Sequence, residues 1–172
     1  MRAFVAVPIP RAGAPADGPG PIGHLTLHFL GEIGSETVAA IRAALPPRVA
    51  AHRRFPLTLE GVGAFPSAER PRVVWRGITR GREELERLAG SVRSADVGAG
   101  AVADPRPFAP HLTWFRVVGR PSAARARAVL SGEIPAPPPE SVEVAEVWLV
   151  ASELGAGGAV HRPIDRFPLA DG

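Results

Sequence analysis

Apolar residues along this 172-residue chain recur at two spacings, one typical of strands and one typical of helices. Residues 2–8 are mostly apolar and predict a buried strand, and alternation predicts further strands. Leu85, Leu88 and Val92 have helical spacing within 82–94. The pattern therefore predicts strands at 2–8, 24–30, 55–59, 73–78, 111–115 and 142–152. It predicts helices from Ser35, over 82–94 and from about Ser122.

The connections between these elements contain no signal for a second domain. Residues 9–23 are rich in Pro, Gly and Ala, 96–107 resemble a loop, and 135–139 form a Pro-rich linker. Hairpins mixed with helices indicate an α+β fold, with residues 1–172 as one domain. The sequence His-Leu-Thr occurs at 24–26 and again at 111–113, and Val-Trp pairs occur in both halves. This repetition predicts two similar lobes, each contributing one strand to a shared cleft.

Composition removes several classes of chemistry. The chain has no Cys, so disulfides, thiol nucleophiles and Cys-ligated zinc are excluded. All twenty basic residues are Arg, and the missing Lys excludes a P-loop, a Schiff base and a lysyl-nucleotidyl intermediate. The sequence pI of about 11.0 reflects this Arg content, whereas the net charge is only +3. Basicity by itself is therefore weak support for nucleic-acid binding.

The expected setting is cytoplasmic. No apolar run reaches the length needed to cross a bilayer, and the N-terminus becomes polar too early for a secretory signal. We expect a monomer that uses no cofactor. We also expect no metal, since no carboxylate cluster for Mg²⁺ is visible. A His24–His28 metal pair is disfavoured because four residues of strand separate the two side chains by about 13 Å.

The two His-x-Thr segments are the candidate chemistry. Residues two apart share one face of a strand, so His24 lies beside Thr26 and His111 beside Thr113. An imidazole pair can supply both a base and an acid near neutral pH, and hydroxyls can donate hydrogen bonds to phosphate oxygens. One such tripeptide is uninformative, but two in different halves of the chain favour a catalytic pair.

With these motifs the chain resembles the 2H phosphoesterases, specifically the RNA 2′,3′-cyclic phosphodiesterases also called 2′-5′ RNA ligases. The matching segments run through most of the chain in order, at 4–7, 24–32, 71–75, 106–113 and 149–153. The resemblance implies a bilobal, pseudo-symmetric α+β fold in which antiparallel sheets line a central cleft and helices lie outside. It also implies that RNA 2′,3′-cyclic phosphate ends are hydrolysed to 2′-phosphomonoesters, with tRNA fragments among the candidate substrates.

The resemblance assigns roles to individual residues. His24 would protonate the leaving 3′ oxygen, His111 would activate water, and Thr26 and Thr113 would hold the phosphate. Arg116 lies where the family often has an Arg after the second motif, and it is a candidate phosphate or nucleotide contact. Strict alternation turns it away from His111 unless the strand bulges there. Further candidate substrate contacts are Arg106, Phe29 and His28, with His28 at the rim of the cleft and Phe29 first a packing residue. The family has a helix and a longer connection between the first strand and the first motif, and the Pro/Gly stretch 9–23 replaces them here. Since the missing element could flank the cleft, the preference for RNA length can differ from that of the family.

Other residues have simpler interpretations. His52 and His161 are predicted at the surface, and Trp75 and Trp148 in the core, where an aromatic near the cleft could also stack a base. Three alternatives remain open for function. The site could act on small cyclic nucleotides or ADP-ribose cyclic phosphate, it could join a cyclic end to a 5′-hydroxyl, or the chain could be a nucleotide-binding module without turnover.

Overall fold

The computed structural model of the protein describes residues 1–10, 22–96, 107–155 and 158–171. Within these ranges the chain forms eight strands and three helices. The strands are β1 (Arg2–Pro10), β2 (Ile22–Glu32), β3 (Phe55–Phe65), β4 (Val73–Ile78), β5 (Leu112–Arg116), β6 (Glu140–Val144), β7 (Glu146–Gly155) and β8 (Gly158–Pro168). The helices are α1 (Ser35–Val49), α2 (Arg82–Asp96) and α3 (Gly119–Ser131). The predicted α+β class is confirmed.

The strands form two antiparallel sheets of four. The first sheet has the order β2-β1-β7-β8, and the second has the order β5-β4-β3-β6. The two strands that carry or adjoin the His-x-Thr segments, β2 and β5, are both edge strands, and they lie against each other. The two sheets therefore meet where the candidate chemistry lies. That they are similar lobes of one domain stays a prediction.

The main core lies between one face of each sheet and the helices α1 and α2. Leu25 and Leu149 contribute from the first sheet, Leu59 from the second, and Leu45 and Leu88 from the helices, each no more than 1% exposed. Each such side chain contributes roughly 1.5–3 kcal/mol by leaving water. The opposite face of each sheet, which we call the open face, is free to carry polar side chains.

The predicted strand over 142–152 is wrong. The chain leaves β6 and enters β7 at Ala145, and these strands belong to different sheets, since β6 pairs with β3 and β7 with β1. The sequence conceals this break because apolar residues occur on both sides of it, at Val142 and Val144 in β6 and from Val147 in β7. The strand β8 was not predicted, and α3 begins at Gly119 rather than at Ser122.

The helices are short. α1 and α2 have 15 residues each and α3 has 13. In the part of the chain that the structure describes, no helix combines the length and apolarity that crossing a membrane requires. All three instead lie against strands or against each other.

Candidate active site

His24 belongs to a group of rings on the open face of the first sheet. Its imidazole lies 4.9 Å from the Phe4 ring and 5.0 Å from the His161 ring, centroid to centroid. Phe4 is only 3% exposed and packs with Ala6, Trp148 and Val150 in a small apolar cluster separate from the main core. The cluster therefore provides a fixed apolar support on which the His24 imidazole rests.

The contact between His24 and His161 requires the first sheet to curve. His24 is on β2 and His161 is on β8, at opposite edges of the sheet. Three strand spacings in a flat sheet would separate them by about 14 Å, yet their rings are 5.0 Å apart. The open face is therefore concave, and side chains from both edges converge above Phe4.

His111 belongs to a second group of rings, immediately before β5. Its ring lies 4.8 Å from the Phe65 ring and 6.3 Å from the Trp75 ring. Its Nδ1 donates a hydrogen bond of 2.6 Å to the carbonyl oxygen of Ala109. Since a carbonyl can only accept, this bond fixes the proton on Nδ1 in the neutral ring. The lone pair of Nε2 is then available to accept a proton.

The hydroxyls follow the alternation that the sequence predicts. Thr26 pairs with Ala6, whose side chain is in the apolar cluster of the open face, so Thr26 lies on the same face as His24. Thr113 pairs with Trp75, and both face the side of the second sheet on which His111 contacts the Trp75 ring. Each sheet thus presents one imidazole and one hydroxyl on its open face.

A bulge in β2 changes the positions of the next two predicted residues. Thr26 pairs with Ala6 but His28 pairs with Val5, so Leu27 is an extra residue and alternation is interrupted. Phe29 consequently lies on the open face, 46% exposed and 6.1 Å from the Phe4 ring, rather than in the core. The predicted rim position of His28 is wrong, because its side chain is turned inward and is only 3% exposed.

A second bulge brings Arg116 to the open face. Trp75 pairs with Thr113 and Val74 with Phe115, so Trp114 is the extra residue. Arg116 then pairs with Val73, which shares its face of β4 with Trp75. The bulge that Arg116 needs in order to share a face with Thr113 is therefore present.

Arg116 also connects the two groups of rings electrostatically. Partial burial lowers the pKa of His161 below 6.5, and the positive charge of Arg116 lowers it further. This guanidinium from the second sheet therefore acts on an imidazole of the first sheet, next to His24. Because the unfolded chain binds the His161 proton more readily, this residue makes the fold less stable as the pH falls below 6.5.

We expect Arg116→Leu to raise the pKa of His161, because the substitution removes the positive charge beside the imidazole. The imidazole proton shifts of His161, followed by NMR over a pH titration, measure this change. Arg120→Leu, at an exposed position in α3, is the matched control and should leave the titration unchanged. An unchanged His161 titration in Arg116→Leu would contradict the proximity of the two side chains.

Sequence reasoning missed His161 and Phe65 as site residues and placed Trp75 in the core, although it is half-buried on the open face. His161 had no motif to mark it, because its contacts depend on the curvature of a sheet. Arg106 lies outside the described residues, and its role stays a prediction. Within the described ranges, no three His, Asp or Glu side chains are grouped as metal ligands.

Comparison with known proteins gives one consistent family. The model of the 2′-5′ RNA ligase superfamily matches residues 11–156. A protein of Aeropyrum pernix named RNA 2′,3′-cyclic phosphodiesterase is 36% identical over 143 residues, which cover 82% of this chain and 78% of the relative. A protein of the same name from Escherichia coli is 34% identical over 149 residues, covering 85% of this chain and 75% of the relative.

A solved structure agrees with these sequence matches. The crystal structure of E. coli LigT complexed with 3′-AMP superimposes with a TM-score of 0.70 at 28% identity. The superposition covers 98% of this chain and 98% of that chain. The likeness therefore extends over both sheets and includes the surface on which the two histidines lie.

Proposed function

The chain belongs to the 2′-5′ RNA ligase superfamily, and from its two histidine sites we propose that it hydrolyses 2′,3′-cyclic phosphates at RNA ends to 2′-phosphomonoesters. The observation that carries the proposal is the arrangement of the two edge strands. β2 presents His24 and Thr26, β5 presents Thr113 two residues after His111, and the strands lie side by side. The names of the relatives support the same substrate class.

The proposed reaction is a single in-line displacement at phosphorus. The Nε2 of His111 accepts a proton from water as the water oxygen attacks the phosphorus atom. The bond from phosphorus to the 3′ oxygen breaks, and His24 donates a proton to that oxygen. The products are a 2′-phosphate and a free 3′-hydroxyl, and the two imidazoles exchange their protons with solvent before the next turnover.

Three further side chains suit the charge that develops on the phosphate. The hydroxyls of Thr26 and Thr113 can donate hydrogen bonds to the non-bridging oxygens, which carry the transition-state charge. The guanidinium of Arg116 supplies a permanent positive charge on the same face. The exposed ring of Phe29 is available to stack on the base of the terminal nucleotide.

The same site can also use a nucleophile other than water. A 5′-hydroxyl in place of water would attack the cyclic phosphate and form a 2′-5′ linkage, with His111 again accepting the proton and His24 donating one. Water is far more concentrated than any RNA end, so we propose ligation as a minor activity.

The deciding experiment is incubation with RNA that ends in a 2′,3′-cyclic phosphate, in the presence of EDTA. We expect full conversion to the 2′-phosphate, identified by ³¹P NMR, because two imidazoles supply both proton transfers. Adenosine 2′,3′-cyclic phosphate and ADP-ribose cyclic phosphate, assayed in parallel, compare the alternative substrates. Recovery of activity only on adding divalent metal, or a 3′-phosphate product, would contradict the mechanism.

A further inference from the structure

A pocket of about 220 Å³ opens beside His111. Its described lining comes from the second sheet, from Arg82 in α2 and from residues just before β5, with none from the first sheet. Pockets for drug-sized ligands usually measure about 300–1,000 Å³, so this one suits a single flat ring system. It includes His111 in its lining and none of the rings grouped around His24.

The floor of the pocket is the indole of Trp75. The ring lies flat across β3 because Gly63 has no side chain, and an added Cβ there would be 2.3 Å from the indole carbons. Gly77 likewise has no side chain between the indole and the backbone of Glu60. Phe65 continues the aromatic surface, with its ring 5.4 Å from that of Trp75. A half-buried aromatic floor of this kind accepts any nucleobase by stacking.

Two charged side chains also line the pocket. The carboxylate of Glu60 accepts a hydrogen bond of 3.0 Å from the Thr79 hydroxyl, which orients it. Arg82 is held by Glu86, to which its Nε donates at 2.9 Å. A carboxylate accepts two parallel hydrogen bonds from adjacent N–H donors, and guanine has such a pair at N1 and N2. Guanine also presents acceptors at O6 and N7, the atoms that Arg contacts.

Adenine, cytosine and uracil fit this carboxylate less well. Adenine and cytosine each place a ring nitrogen acceptor next to their single amino donor, and uracil places carbonyl oxygens on both sides of its N–H. Each would bring a lone pair toward the Glu60 carboxylate. The Glu60 carboxylate therefore discriminates among bases, whereas the Trp75 floor does not.

We propose that this pocket binds the base of the nucleoside that supplies an attacking 5′-hydroxyl, and that Glu60 selects guanine there. The inference rests on the proposed function, in which His111 activates the nucleophile and so defines the side from which it approaches. The 5′ oxygen forms a bond to phosphorus, its proton passes to His111, the bond to the 3′ oxygen breaks, and His24 protonates that oxygen. The product is a 2′-5′ linkage with guanosine on its 5′-oxygen side.

The reverse of this step provides the test. The substrates are four 2′-5′-linked dinucleoside monophosphates, each with adenosine on the 2′ side and one of the four nucleosides on the 5′ side. Cleavage gives adenosine 2′,3′-cyclic phosphate and a free nucleoside. We expect kcat/KM for the guanosine compound to exceed the other three by about tenfold, as suits a charged hydrogen-bond pair at a partly exposed site. In Glu60→Gln the ratio should fall close to one.

The readout is a ratio within one enzyme preparation, so a general loss of activity cancels. Glu143→Gln, which alters an exposed carboxylate on β6 away from the pocket, is the matched control and should keep the preference for guanosine. Equal rates for the four dinucleosides, a preference that survives in Glu60→Gln, or no cleavage by an enzyme that still hydrolyses adenosine 2′,3′-cyclic phosphate would each overturn the pocket's role. Failure of that hydrolysis in the unaltered protein would instead overturn the proposed function.

Discussion

His111→Ala is expected to lower kcat for opening of a 2′,3′-cyclic phosphate by about 10²- to 10⁴-fold, the usual contribution of a positioned acid or base. The ring is fixed by the Ala109 carbonyl and by Phe65, and its Nε2 carries the free lone pair. KM should change much less, because the proposed phosphate contacts of Thr26, Thr113 and Arg116 remain. Steady-state rates with adenosine 2′,3′-cyclic phosphate measure both constants.

The matched control for this substitution is His52→Ala. His52 lies in the connection between α1 and β3, where its Nε2 forms a hydrogen bond of 2.8 Å with the hydroxyl of Ser91. It takes no part in either group of rings. It should keep the rate of the unaltered protein. If His111→Ala instead keeps its kcat and raises KM, the residue binds nucleotide and has no catalytic role, whereas a binding module would show no turnover even in the unaltered protein.

The buried faces of the elements could be predicted from the sequence because burial follows local periodicity. Apolar residues correctly predicted the buried strand at 2–8, and helical spacing correctly predicted the buried face formed by Leu85, Leu88 and Val92. Periodicity is a property of consecutive residues, so it needs no knowledge of the partner strands. The same rule placed His24 beside Thr26 on one face of β2.

The bulges could not be predicted, since they depend on how two strands match. The extra residues Leu27 and Trp114 are not distinguished from their neighbours by any local pattern. Yet the first bulge turns His28 inward, and the second turns Arg116 toward the open face. In β2 and β5, alternation correctly predicts the face on which the motif residues lie. It fails only beyond the bulge, where the register shifts.

The contact of His161 with His24 could not be predicted either, for a reason that involves more distant parts of the chain. Its position depends on the pairing of β7 with β8 and on the curvature of a four-stranded sheet, which joins residues separated by most of the chain. A single His in a polar stretch of sequence therefore predicts only a surface residue. In the structure this surface is concave, and its curvature brings His161 into contact with His24.

The assignment of acid and base can be decided with a leaving group that needs no proton. His24→Ala should lower kcat for adenosine 2′,3′-cyclic phosphate by about 10²- to 10⁴-fold, because a ribose oxygen leaves poorly without protonation. With 3′-deoxyadenosine 2′-(4-nitrophenyl phosphate), nitrophenolate leaves as the anion, and the missing hydroxyl prevents internal attack. The same variant should therefore retain most of its rate on this ester.

His111→Ala should be impaired on both substrates, since each reaction still requires an activated water. Only His24→Ala thus separates the two substrates, and a loss of folding cannot imitate this result, because an unfolded protein would fail with both. If His24→Ala fails on both substrates while His111→Ala keeps the nitrophenyl ester, the two roles are exchanged. The pocket beside His111 would then lie on the leaving-group side, and its base would belong to the cyclic nucleotide itself rather than to the attacking nucleoside.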